Sequence, residues 1–102
     1  MSKVTKVRWT PEAADDLQAI HDFIARDSPR YADLTVEGIL VAIDYPQKFP
    51  LLGRHVPEST RDDLRELIKP PYRIVYRSGE VVKILTIFRT SRLFPRDLTQ
   101  DE

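Results

Sequence analysis

The chain has 102 residues, 41% hydrophobic and 31% charged, with 16 basic and 16 acidic side chains and no cysteine. That balance describes one globular domain spanning residues 1–102 with a modest core, and it argues against disorder. It excludes disulfides, a thiolate nucleophile and a cysteine zinc site, and no run approaches the ~20 apolar residues of a membrane span.

The opening "MSKVTKVRWT" carries charges without a following apolar run, so no signal peptide is expected and a cytoplasmic location is the default. Net charge is zero, but its distribution is uneven. Residues 1–53 carry 6 Lys/Arg against 8 Asp/Glu, residues 54–96 carry 10 against 5, and the tail 97–102 carries 3 acidic groups and no basic one. The basic middle segment is either a footprint for an anionic partner or a solvated face balanced by acidic helices.

Taken in chain order, Val4–Trp9 alternates as a short strand, with Thr5, Val7 and Trp9 on one side. Thr10-Pro11-Glu12 starts a helix: a hydroxyl cap, a proline in the first turn and a carboxylate at the positive helix end. Its buried stripe is Ala13, Leu17, Ile20 and Ile24, widened by Phe23. Ser28-Pro29 repeats the cap-and-proline signal for a second helix, with Ala32, Val36, Ile39, Leu40 and Ile43 buried and Tyr31 and Tyr45 packed. Pro46 and Pro50 end it, and an irregular connector, "FPLLGRHVPEST", follows. Leu64–Lys69 reads as a strand stopped by Pro70-Pro71, a pair that cannot form a primed two-residue hairpin. Tyr72–Arg77 and Val81–Phe88 form a hairpin around Ser78-Gly79, where glycine supplies an unusual φ, and a short helix or tail closes the chain. The fold class is α+β, order β-α-α-β-β-β: a small, mainly antiparallel sheet with an αα-hairpin on one face.

A two-residue Ser78-Gly79 loop pairs Arg77 with Glu80, Val75 with Val82 and Arg73 with Ile84. Arg73, Val75, Arg77, Val82, Ile84, Thr86 and Phe88 then share one face, and Tyr72, Ile74, Tyr76, Val81, Lys83, Leu85 and Ile87 the other. One αα-hairpin covers only one face, so the half-apolar, half-basic face is expected to be open, as partner sites are. A one-residue change in the loop reverses these faces. The plainer reading is that Arg73 and Arg77 pair with Glu66 and Glu80 across strands, worth about 0.2–1 kcal/mol each.

The ordered set "WTPEAADDLQAIHDFIARDSPRYA", "FPLLGRHVPE", "LRELIKPPYRIVYR" and "VVKILTIFRTSRLF" resembles the ParE/RelE superfamily of bacterial type II toxins over about positions 4 to 96. The resemblance implies a cognate antitoxin and one of two targets. RelE-like members cut messenger RNA in the ribosome, whereas ParE-like members poison DNA gyrase. Arg73 lies where the RNase-type members keep a phosphate-binding arginine. Arg89 and Arg92 lie in the C-terminal segment that otherwise provides catalytic groups, which here has no histidine or tyrosine. RNA cleavage needs a proton acceptor and a donor, and arginine, with a pKa above ~12, suits neither role. His21 reads as packing, His55 as a loop residue that can reach the sheet face, and Glu66 as a structural partner or an unconventional base. The expectation is therefore a ParE-like gyrase inhibitor rather than an enzyme. Arg65, Arg73, Arg77, Arg89 and Arg92 meet the target, and Val75, Val82, Ile84 and Phe88 anchor the antitoxin. No catalytic group is assigned, and no cofactor, metal or membrane is expected. A ribosome-dependent mRNA endonuclease is the alternative.

Overall fold

The computed structural model describes residues 6–49 and 52–95. Its elements are β1 (Lys6–Trp9), α1 (Pro11–Ala25), α2 (Pro29–Lys48), β2 (Arg54–His55), β3 (Leu64–Lys69), β4 (Tyr72–Arg77) and β5 (Val81–Arg89). The strands form one sheet in the order β1-β5-β4-β3-β2, with β1 parallel to β5 and the other pairs antiparallel. This is the expected α+β architecture, with a two-residue strand added inside the connector. Val4, Thr5, Pro50, the acidic tail 97–102 and the Tyr45 side chain lie outside the described residues, and residues 90–95 form a turn and an irregular segment, not a helix.

The helix starts follow from local chemistry. Thr10 Oγ1 accepts from the Ala13 amide at 3.0 Å and donates to the Leu85 carbonyl at 2.9 Å, so one hydroxyl caps α1 and ties it to β5. Asp16 extends that tie, accepting from the Thr86 hydroxyl and the Ile87 amide. Ser28 Oγ accepts from the Tyr31 amide at 3.1 Å at the start of α2. The end of α2 differs from expectation, because Pro46 lies inside the helix, fully buried. A proline breaks the bond to the preceding turn but leaves the residues after it free to continue, and core burial offsets that loss.

The main core joins Ala13, Ile39 and Ile43 of the hairpin to Tyr72, Ile74, Tyr76, Val82, Ile84 and Ile87 of the sheet. Phe23, Tyr31 and Leu40, expected inside, are instead exposed. The Arg26 guanidinium lies 6.0 Å from the Phe23 ring centre. Pro70-Pro71 joins β3 to β4 through a cis peptide bond, with Lys69 opposite Tyr72.

The β4–β5 register also departs from expectation. Arg77 pairs with Lys83, Val75 with Thr86 and Arg73 with Phe88, and Leu85 is an extra residue at a bulge. The loop is longer than two residues, and Gly79 needs no positive φ. The bulge splits the face assignment. Phe88 stays on the side of Arg73, while Val82 and Ile84 turn under the helices into the main core. Leu85 moves the opposite way.

The second face of the sheet is not open. Val56 from the connector, Leu64, Val75 and Phe88 form a second buried cluster, with Leu85 and Phe94 packed against it. The connector and the segment after β5 cross this face because leaving its apolar groups in water costs roughly 25 cal/mol per Å².

Candidate functional site

The site lies on that second face and is built from alternation in three strands. Arg73 and Val75 of β4 point to it, Glu66 of β3 sits opposite Val75, and Arg54 of β2 sits opposite Glu66. Arg73 is 8% exposed and Glu66 1%. Arg73 Nε donates to Glu66 Oε1 at 2.9 Å, Nη2 donates to the same oxygen, and Arg54 Nε donates to Glu66 Oε2. The terminal edge of the Arg73 fork takes a second carboxylate: Nη1 donates to Glu58 Oε2 at 2.9 Å and Nη2 to Glu58 Oε1 at 2.8 Å. Its guanidinium carbon lies 5.2 Å from the ring centres of both Phe88 and Phe94, rings that meet edge to face.

Two guanidiniums and two carboxylates thus sum to zero charge. Hydrogen bonding to Arg73 holds the Glu58 carboxyl below the usual carboxylate range, and Glu58 with Glu66 pushes the Arg73 guanidinium further up. The plainer expectation for Arg73, a pairing with Glu66, is present, with Glu58 as an additional partner. Nothing local in the sequence pointed to Glu58 or Arg54, since both come from an irregular connector.

The five arginines expected at one surface are dispersed. Arg77 is half-buried at the far end of β4, opposite Leu64 and Lys83. Arg65 lies on the helix side, donating from Nη1 to the Gly53 carbonyl at 3.1 Å. Arg89 is exposed on the helix side, 5.8 Å from the Tyr72 ring centre, and Arg92 is exposed beyond β5. The apolar anchors are not a surface patch: Val75 and Phe88 belong to the second core, and Val82 and Ile84 to the main one. His55 follows Arg54 in β2 and so points to the opposite side from Glu66. His21 bridges the helices, its Nε2 lying 2.8 Å from Asp33 Oδ1. It also borders a groove of about 440 Å³ lined by Trp9, Leu17, Val36 and Leu40.

Chemically, the cluster is an internal ion-pair network in which the chain supplies the carboxylate partners of both guanidiniums. Both oxygens of Glu66 accept from guanidiniums and the side chain is fully buried, so a substrate hydroxyl has no open approach to it. Among the described residues no group of His, Asp and Glu is placed to hold a metal ion, and no helix is long and apolar enough to cross a membrane.

Solved structures define the class. A chain of the chromosomal ParDE toxin–antitoxin system from P. aeruginosa matches with a TM-score of 0.70 and 29% identity over 84% of this chain and 96% of that one. A chain of the RelBE2 toxin–antitoxin complex from Mycobacterium tuberculosis, at 21% identity, shares the fold with a TM-score of 0.58 over 90% and 98%. The fold is that of the ParE/RelE superfamily toxins. The family described as the ParE toxin of the type II toxin–antitoxin system, parDE, matches residues 7–94, and the chain belongs to that family. Toxin RelE2 of Caulobacter vibrioides is 35% identical over 92 residues, covering 88% of this chain and 100% of that protein.

Proposed function

We propose that this type II toxin inhibits DNA gyrase stoichiometrically in the cytoplasm and is held silent by a cognate antitoxin protein. One observation carries the choice of target. Glu66, the candidate base on the second face, has both oxygens held by Arg73 and Arg54. His55, the other candidate, belongs to the opposite side of β2. Among the described residues, both carboxylates of the cluster, Glu58 and Glu66, are tied to guanidiniums rather than presented to a substrate for acid–base cleavage of RNA. Inhibition by docking requires no such group. Arg89 and Arg92, both exposed, and the half-exposed Arg77 are the residues we assign to the target. Planar guanidinium forks suit carboxylates and phosphates alike.

The test is a supercoiling assay with purified gyrase beside a translating extract supplied with a reporter message. Loss of supercoiling at near-equimolar toxin, with the message intact, supports the proposal. Message cleavage with gyrase unaffected replaces it with a ribosome-dependent endonuclease. Arg92→Ala is expected to weaken gyrase inhibition about tenfold, roughly 1.4 kcal/mol, without shifting the melting temperature. Inhibition at the wild-type level would remove Arg92 from the contact.

A further inference from the structure

Lys69, Tyr72 and Arg89 stand in one row across β3, β4 and β5 on the helix side, since Lys69 is opposite Tyr72 and Tyr72 opposite Arg89. The row forms one wall of a groove of about 410 Å³, and Ile24, Tyr31 and Leu34 of the helical hairpin line the other. Tyr31 is 60% exposed there and Leu34 52%, so the apolar wall has no cover of its own. Both cations are positioned. Arg89 lies 5.8 Å from the Tyr72 ring centre. Lys69 crosses α2 at Gly38, where a Cβ would lie 3.2 Å from Lys69 Cε. The bare backbone lets the lysine stem lie against the helix and brings its ammonium to the groove. Arg54, Arg61 and Arg73 each bind a carboxylate of the chain. Among the described residues, Lys69 and Arg89 have no acidic partner, and no acidic side chain lines the groove.

We infer that this groove docks an acidic segment of the toxin's protein target, with carboxylates on Lys69 and Arg89 and an apolar side chain between them against Leu34 and Tyr31. The inference rests on the reading that Arg89 meets gyrase, and it adds the chemistry that Arg89 meets there. Lys69 and Arg89 are two strand spacings apart, roughly 10 Å, and their like charges repel. Carboxylates of a partner cancel that repulsion and meet complementary charge as the partner approaches. The apolar wall selects the class of partner. A phosphodiester backbone answers the two cations but brings no aliphatic side chain to cover Leu34 and Ile24. An acidic peptide with one apolar anchor answers both, in the manner of an interface with an apolar centre and a charged rim.

The experiment compares the full chain with its Lys69→Glu/Arg89→Glu variant, whose two changes lie on exposed side chains, after matched melting curves show both folded. The first arm titrates the capped peptide Glu-Glu-Leu-Phe-Glu-Glu, following the Gly38 amide and the Arg89 Nε–Hε resonances by NMR. The peptide is expected to move both resonances in the parent along one saturable curve and to bind the variant about tenfold more weakly. Resonances that stay still, or equal affinity in the two proteins, would overturn the inference. So would a short DNA duplex that moves both resonances where the peptide does not, which would assign the groove to nucleic acid. The second arm measures gyrase supercoiling, where the variant is expected to need about ten times more protein than the parent for the same inhibition. A parent that inhibits gyrase and a variant that inhibits it equally would remove the target from this groove. A parent that does not inhibit gyrase overturns the functional reading instead, and the peptide arm then decides the groove by itself.

Discussion

Arg73 shows how one side chain changes meaning between a strand pattern and a folded site. On alternation alone it stands on a sheet face and invites an external anion. In the structure it lies against two phenyl rings and is neutralised by Glu58 and Glu66. Its removal strikes the fold first. Arg73→Ala leaves Glu66 buried with only Arg54 as a partner, and breaking one side of a buried ion pair costs about 3–5 kcal/mol. A denaturation midpoint should register that loss, and an unchanged midpoint would contradict the buried network. Gly53 makes a second demand at this scale. A Cβ there would lie 2.6 Å from Tyr76 Oη and 2.8 Å from the Glu66 carbonyl oxygen. The Gly53 amide donates to that same Tyr76 oxygen at 2.9 Å. Gly53→Ala is expected to cost roughly 1–3 kcal/mol through overpacking against backbone that cannot yield, measurable by chemical denaturation.

At the scale of elements, the helical hairpin is governed by its ends and one cross-link. Thr10 both caps α1 and bonds the Leu85 carbonyl. Thr10→Ala should therefore cost about 1–2 kcal/mol, at the upper part of the range for a helix cap, as read from the thermal midpoint. His21 and Asp33 join α1 to α2, and the hydrogen bond to Asp33, reinforced by Asp22, raises the His21 pKa above 6.5. The sign follows from linkage: a group whose pKa is raised on folding binds protons more tightly in the native state. Its contribution is complete below 6.5 and fades as pH rises through the raised value. The thermal midpoint of the parent should thus exceed that of His21→Ala most at about pH 5.5, and the gap should shrink above neutrality. A gap that is constant with pH would show that the imidazole acts by packing alone.

For the whole molecule, the lesson is that a sheet with one helical layer still closes both faces. The helices cover one side, and Val56 and Phe94 reach over the other. What remains for partners is dispersed: arginines at the strand ends, exposed Leu34, Val41 and Phe49 on and just after α2, and the groove beside Trp9. The sequence by itself determined the helix starts, the bounds of the strands Leu64–Lys69 and Tyr72–Arg77, and the α+β class. Each of those depends on neighbours within about a turn or a strand, where capping, proline geometry and alternation act. Tertiary structure alone decided the β4–β5 register, because the Leu85 bulge answers to what packs above Val82 and Ile84 rather than to the loop residues. It also decided the state of Arg73. Glu58, its outer partner, lies 15 residues away in a segment without periodicity. Only the folded path of that segment brings the carboxylate to the guanidinium, where two parallel hydrogen bonds from the buried Arg73 hold it.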